Sequence, residues 1–268
     1  FLLFWAYGVV PHQWLTWADT ELGWRPDVIW FGPNGSVTVP EEIASAYGQF
    51  VEAGWGAVSG DMEYGGHGFP GVMSTAIQEM LTSSNMAFSL CPMLTSSAVE
   101  AMSHHGTEEL KADYLEKLIT GEWTGTMLLT EPEAGSDALS MRTRAEKDGD
   151  HWELKGTKMF ITNGSLADVA VIYATTDPKA GRAGLSAFIV DKDCEGVEIG
   201  AEEKKLGLHG SSTCAVILDN ARVPAENLLL YDVHGLVHPD REDLNPYQRA
   251  FARAGSERTL AEGLRGAD

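Results

Sequence analysis

The sequence predicts an α+β fold, an N-terminal α-helical domain followed by an antiparallel β-domain, and three observations carry that reading. Between Pro40 and Gly121 apolar residues recur three and four apart, the spacing that lines one face of a helix. Past Gly125 the pattern changes to short runs rich in β-branched and aromatic residues, which fit a pleated, half-buried surface. Asp148-Gly149, between two such runs, is a favoured pair for an antiparallel hairpin turn. The chain divides accordingly into an atypical segment 1–34, a helical domain 35–124, a β-domain 125–229 and an atypical tail 230–268.

The first segment follows no helical or alternating period. Trp5, Trp14, Trp17, Trp24 and Trp30 are five of the chain's eight tryptophans, and no initiator methionine precedes them. A tryptophan-rich surface arm and an out-of-frame start both account for this. Phe1 to Val10 is apolar but has no positive flank or cleavage pattern and is too short to span a bilayer, so no export signal is expected.

From Pro40, which suits a first helical position, Ile43, Ala46-Tyr47 and Phe50-Val51 recur on one face until Gly54. Gly66-His-Gly-Phe-Pro-Gly71 spells a dinucleotide string, but no strand leads into it and no acidic residue follows at the required distance. A loop between helices is the better reading. Helices are expected at 71–90, 92–104 and 108–119, with Met73, Ile77, Met80-Leu81 and Phe88 as a core stripe. Thr107 caps the last of them, Leu110, Tyr114, Leu115 and Leu118 face inward, and Gly121 ends it. His104 and His105 are adjacent, so on a helix they point about 100° apart and cannot share one ion. Strands are expected at Met127–Thr130, Arg142–Lys147, His151–Leu154, Lys158–Thr162, Val169–Ala174, Leu185–Val190 and Ala215–Leu218.

Composition bounds the partners. Hydrophobic residues are 44% and charged residues 22%, ordinary for a globular chain, while a net charge of −20 without a basic cluster disfavours nucleic acid and anionic membrane. Cys91, Cys194 and Cys214 are odd in number and lack metal-site spacing, which suggests idle thiols in a reducing, cytoplasmic compartment and no metal centre.

One stretch gives the chain its chemistry. Leu128-Leu-Thr-Glu-Pro-Glu-Ala-Gly-Ser-Asp137 reads as a strand stopped by Pro132, followed by a turn in which the amides of Ala134, Gly135 and Ser136 make a row of donors suited to a phosphate oxygen. Thr130-Glu-Pro-Glu-Ala-Gly-Ser-Asp137 resembles the signature of the acyl-CoA dehydrogenase family, and Gly156-Thr-Lys-Met-Phe-Ile-Thr-Asn-Gly164 resembles that family's second motif. Glu63-Tyr-Gly-Gly-His-Gly68, His105-Gly-Thr-Glu-Glu109, Gly121-Glu-Trp123, Lys205-Leu-Gly-Leu-His-Gly-Ser-Ser-Thr213 and Val223-Pro-Ala-Glu-Asn-Leu228 extend the likeness over roughly Gly35 to Leu229. The wording of Gly121-Glu-Trp-Thr-Gly125 and of Gly207 to Thr213 looks most like the branch that includes the 3-methylmercaptopropionyl-CoA dehydrogenases.

The resemblance implies FAD as cofactor and α,β-dehydrogenation of an acyl-CoA thioester. A carboxylate takes the α-proton, the β-carbon passes hydride to the flavin, and an electron-transfer flavoprotein receives the electrons. It also implies roles. Thr130 donates to the pyrimidine side of the flavin, with the backbone of Met127 and Leu129 beside it. Ser136 touches the pyrophosphate and the substrate thioester chain. Phe160 stands against the flavin ring, Ile161 lies next to it, and Thr162 bonds near N5. Glu131, Glu133 and Asp137 read as loop charges rather than as the base, because nothing in the sequence raises their pKa.

In the family the base sits on a C-terminal four-helix domain that also supplies the oligomer interface, and that domain is expected to be absent here. Leu230 to Asp240 carries no matching pattern, Phe251 to Asp268 has only Leu260 and Leu264 as a stripe, and Glu257 and Glu262 have no family context. The expectation is therefore a fragment with no catalytic base, inactive alone, whose complete form is a homo-oligomer. Two alternatives stay open: an acyl-CoA-dehydrogenase-like oxidase or monooxygenase, and a non-catalytic FAD- or CoA-binding module.

Overall fold

The computed structural model describes residues 30–31, 37–38, 41–180 and 184–230. The readings made for residues 1–29, for Pro40 and for 231–268 lie outside the described residues. Strand β1 (Trp30–Phe31) pairs antiparallel with β2 (Val37–Thr38). Four helices follow: α1 (Glu41–Glu52), α2 (Gly71–Ser84), α3 (Met86–His105) and α4 (Glu108–Thr120).

Helix α1 ends where Gly54 turns left-handed at φ 70°, and its buried Phe50 meets Phe88 of α3 edge-on, ring centroids 5.9 Å apart. The glycine string at 66–71 is a loop before α2, as its context predicts. Gly66 is needed there for close approach, since a Cβ on it would lie 2.0 Å from the carbonyl carbon of Gly60.

Two expectations for the helical region are corrected. The break between α2 and α3 falls at Asn85 rather than near residue 91, because the Asn85 side chain accepts the Phe88 amide at 3.0 Å and starts α3 there, leaving Pro92 inside the helix. The apolar stripe of α2 is core only in part: Ile77 and Phe88 are buried, but Met73 is 45% and Met80 52% exposed. Helix α4 follows its pattern, with Thr107 accepting the Leu110 amide at 3.2 Å, Gly121 left-handed past its end, and Leu110, Tyr114, Leu115 and Leu118 buried.

Eight strands form one mostly antiparallel sheet: β3 (Gly125–Leu128), β4 (Arg144–Asp148), β5 (His151–Thr162), β6 (Val169–Thr175), β7 (Leu185–Asp191), β8 (Val197–Glu202), β9 (Thr213–Pro224) and β10 (Leu228–Leu230). Their order is β10-β7-β6-β4-β5-β9-β8, with β3 parallel to β6. The hairpin predicted at Asp148-Gly149 joins β4 to β5, and Gly149 adopts φ 62°. Two expected strands, 151–154 and 158–162, are one, because β9 pairs along the whole of β5 and absorbs the irregularities as bulges.

Alternation along β6 and β7 builds two cores. Val169, Val171 and Ile189 face α3 and α4, packing with Ala98, Met102, Leu115 and Leu118. Ile172, Phe188 and Val190 face the other way, against Trp152, Leu154, Val216 and Val223 of β5 and β9. Trp152 and Phe188 meet edge-on at 5.4 Å although β5 and β7 are not sheet neighbours, so the sheet curls over its own inner face. The helices thus brace one side of β3 and β6, and the curl brings β5 along the other edge of β3.

Candidate functional site

The chain segment that runs through β3 into the turn after it lies beside the end of β5. Thr126 Oγ1 donates to the Thr162 carbonyl at 2.6 Å, and the Met159 amide donates to the Thr130 carbonyl at 2.9 Å. As one stretch ascends from 126 to 130 the other descends from 162 to 159, so the two motifs run antiparallel and adjacent. Their threonines differ in one useful way. Thr126 is buried and its hydroxyl is used, whereas Thr130 and Thr162 are half-exposed and, among the described residues, neither hydroxyl has a partner.

Phe160 is displayed by strain. Between the pairs Lys158↔Val216 and Ile161↔Cys214, β5 advances three residues while β9 advances two, so one extra residue bulges out. Phe160 takes φ 57° there and is 60% exposed, a conformation that disfavours a non-glycine residue by about 1–2 kcal/mol. Burial does not account for such a position of an aromatic ring. Ile161 next to it points into the core, leaving only its main chain to face outward.

Beneath these exposed groups lies a feature that the sequence reading missed. Glu131, read as a loop charge, is 4% exposed, and Lys158 is fully buried. Lys158 Nζ donates to Glu131 Oε1 at 2.8 Å and to the Leu129 carbonyl at 3.3 Å, and Glu131 also accepts the amides of Arg142 (2.5 Å) and Thr143 (3.1 Å). Burial pushes the carboxyl up, but Lys158, Thr143 and Arg142 outweigh it and hold Glu131 below its ordinary value. Burial also lowers the Lys158 ammonium, which Glu131 offsets only in part. A carboxylate engaged in this way is no general base. The other two are loop charges as expected: Glu133 faces Arg142 at 3.7 Å, and Asp137 accepts from the Ser140 hydroxyl.

The turn at 131–137 also differs from expectation. Ala134 N donates to the Glu131 carbonyl and Glu131 N to the Ala134 carbonyl, so one of the three amides proposed for an anion is already used. Gly135 and Ser136 are exposed, and no hydrogen bond ties Ser136 to either motif strand among the described residues. Gly135 has no positive φ and nothing within 4 Å of an added Cβ, so the fold itself does not require glycine there.

A cleft of about 1010 Å³ opens beside β3, between α2 and α3, with Ser74, Gln78, Met93 and Ser97 on its walls and Met127 and Tyr173 contributed by the strands. Met127 is the only predicted site residue that lines it. Asn163, a joint that sequence reasoning did not single out, connects this region to the motifs. Its Nδ2 donates to the Cys91 carbonyl of α3 at 3.2 Å and approaches the Gly125 carbonyl of β3 at 3.5 Å. The motif spelling contained Asn163, Lys158 and Glu131, but nothing in the spelling distinguishes a buried polar residue from an exposed one.

Two further sets of titratable groups stand out among the described residues. Burial pushes the Cys91 thiol up to about 11 and Cys214 to about 12, so neither is a thiolate at neutral pH, and all three cysteines are free. Asp148, His151 and Glu153 gather at the far end of β5, where His151 Nδ1 already faces Asp150 (3.3 Å) and Arg222 (3.4 Å).

Comparison with known proteins adds to this geometry. A family model for the acyl-CoA dehydrogenase N-terminal domain matches residues 34–122, and one for the acyl-CoA dehydrogenase middle domain matches 126–221, together more than two thirds of the chain. The chain belongs to the acyl-CoA dehydrogenase family. A 3-methylmercaptopropionyl-CoA dehydrogenase of Ruegeria pomeroyi is 43% identical over 204 residues, which cover 70% of this chain and 35% of that protein. Among solved members of the family, a glutaryl-coenzyme A dehydrogenase in complex with glutaryl-CoA superposes with a TM-score of 0.71 at 31% identity, covering 87% of this chain and 55% of that one. An acyl-CoA dehydrogenase from Bacillus anthracis complexed with FAD gives a TM-score of 0.64 at 37% identity, covering 70% and 32%. The chain spans between 35% and 48% of the length of the curated family members in the first matches. Among the described residues no helix is long and apolar enough to cross a membrane.

Proposed function

We propose that this chain carries the flavin-contacting portion of an FAD-dependent acyl-CoA dehydrogenase, and that the whole protein catalyses α,β-dehydrogenation of an acyl-CoA thioester. One observation carries the reading: two motif segments some thirty residues apart in sequence lie antiparallel, with two unpartnered threonine hydroxyls and a strained, exposed phenylalanine on them. The donor set suits a flat heteroaromatic ring with polar edges. FAD, when bound, supplies the two-electron oxidant.

In this reading Thr130 donates to one edge of the ring, with the main chain of Met127 and Leu129 alongside, and Thr162 donates to the other edge near N5. Phe160 covers the ring against solvent, and Ile161 contributes main chain only. Ser136, exposed in the turn, meets the pyrophosphate and the thioester chain. The cleft beside Met127 takes the acyl chain, since its walls combine apolar surface with serine and threonine hydroxyls. Residues 35–124 and 125–229 act as a helical and a β domain. An electron-transfer flavoprotein as acceptor, homo-oligomerisation and a cytoplasmic location complete the proposal, the last supported by three free thiols.

The test is a titration of the chain with FAD, followed by the flavin fluorescence and visible band. Saturable binding with one site per chain is expected, weakened in Thr130→Val and Thr162→Val. A chain that leaves the flavin spectrum unchanged, or whose two variants bind as the parent does, sinks the assignment. In the whole protein, anaerobic bleaching of the flavin by an acyl-CoA tests the reaction itself.

A further inference from the structure

We infer that the buried Glu131–Lys158 pair is a register latch: it fixes the bulge that displays Phe160 and the height of Thr130, and so positions the groups that face the cofactor without touching it. The inference rests on the flavin reading for its purpose and on the fold for its geometry.

The bonds converge on one junction. Lys158 is the last residue before the bulge and is fully buried, and Phe160, two residues on, is exposed with φ 57°. On the other strand Lys158 holds the carbonyl of Leu129 and the carboxylate of Glu131, the two neighbours of Thr130. Between these bonds the Met159 amide reaches the Thr130 carbonyl. Three consecutive residues of one motif are thus tied to two consecutive residues of the other. Glu131 is itself held by the amides of Arg142 and Thr143, so the lysine is anchored to the far side of the turn as well as to the strand.

Without the latch, two arrangements compete. A strand that slides by one residue turns every side chain to the opposite face, and β5 already contains the one extra residue that makes such a slip short. In the slipped form the left-handed strain on Phe160 is relieved and its ring leaves the exposed side. A buried charge that would lose its partner on slipping opposes this, which is the best-attested use of buried polar pairs: choosing register rather than adding stability.

The experiment compares the parent chain with Lys158→Met, Lys158→Arg and the neutral double variant Glu131→Gln/Lys158→Met, which removes the pair without stranding a charge. Amide hydrogen exchange of the apo chain is read at Met159 and Phe160, and FAD affinity is read by flavin fluorescence. The inference expects the double variant to keep the parent's circular dichroism and a cooperative melt, to exchange these amides faster, and to bind FAD about tenfold or more weakly. Lys158→Arg, which keeps the charge, should fall between the two. Unchanged exchange at Met159 and Phe160 in a folded double variant overturns the latch, whether or not the parent binds FAD. A double variant that fails to fold also overturns it, since the pair would then serve stability alone. Failure of the parent to bind FAD, with exchange accelerated in the variant, removes the flavin reading and leaves the latch standing.

Discussion

Glu131 and Lys158 show how much a single buried residue can hide in a sequence. Both stand inside motif spellings, yet charged residues are almost never fully buried unless paired, so each alone reads as solvated. Only the antiparallel approach of two distant segments makes them partners. Lys158→Met alone leaves the Glu131 carboxylate without its cation, and urea unfolding should show a loss of about 3–5 kcal/mol, less in the double variant with Glu131→Gln. A pH series tests the same residues. Glu131 and Asp168 are both held below their ordinary values despite burial, Asp168 by Lys192 and by the Thr124 amide. Each therefore adds stability above its unfolded-state value of 4.5 or 3.8, and that stability drains away as pH falls through the folded values below them. The urea midpoint should drop steeply on acidification below those values, and Glu131→Gln should flatten the curve. A curve unaltered by that substitution would show that the carboxylate does not titrate with folding.

At the scale of elements, local chemistry decided which expectations survived. Helix α4 announces both its ends in sequence, through Thr107 and Gly121, and the structure keeps them. The start of α3 differs from expectation because an asparagine cap is a quiet signal in sequence. Asn85→Ala should remove about 1 kcal/mol, seen as a lower melting temperature. Strand β8 escaped notice since Val197 to Glu202 is charged, contains Gly200 and lies at a sheet edge with much of its surface in water. Gly156, a residue that weakens a strand interior, lies in the gap between the two strands expected where β5 runs. The pairing of β5 with β9 carries the strand across, and Gly156 is a point where the Thr143 backbone passes close, 2.8 Å from an added Cβ. Gly66→Ala tests the tightest approach in the helical region. With the Gly60 backbone at 2.0 Å, the chain must shift, and a marked fall in melting temperature is expected.

On the scale of the whole molecule, alternation along β6 and β7 explains why helices and a curled sheet hold together, and that much could be read from the change of period at Gly125. What the pattern could not reveal is which apolar faces stay open. Met73, Met80, Met86 and Met93 of α2 and α3 are all more than a third exposed, alongside Phe69 and Val72. Such a surface favours association, so sedimentation of the chain should depend on concentration, and Met73→Glu with Met80→Glu should reduce that dependence. A coefficient independent of concentration in the parent would dismiss it. Asn163 adds a consequence of another kind. One amide group, directly after Thr162, grips a helix carbonyl and a strand carbonyl together, so the wall of the cleft and the ledge that carries Phe160 and Thr162 share a hinge pin. In the proposed function an acyl chain that wedges α3 outward would be felt at once on that ledge, and replacing Asn163 with alanine should let the two ends of the site answer separately.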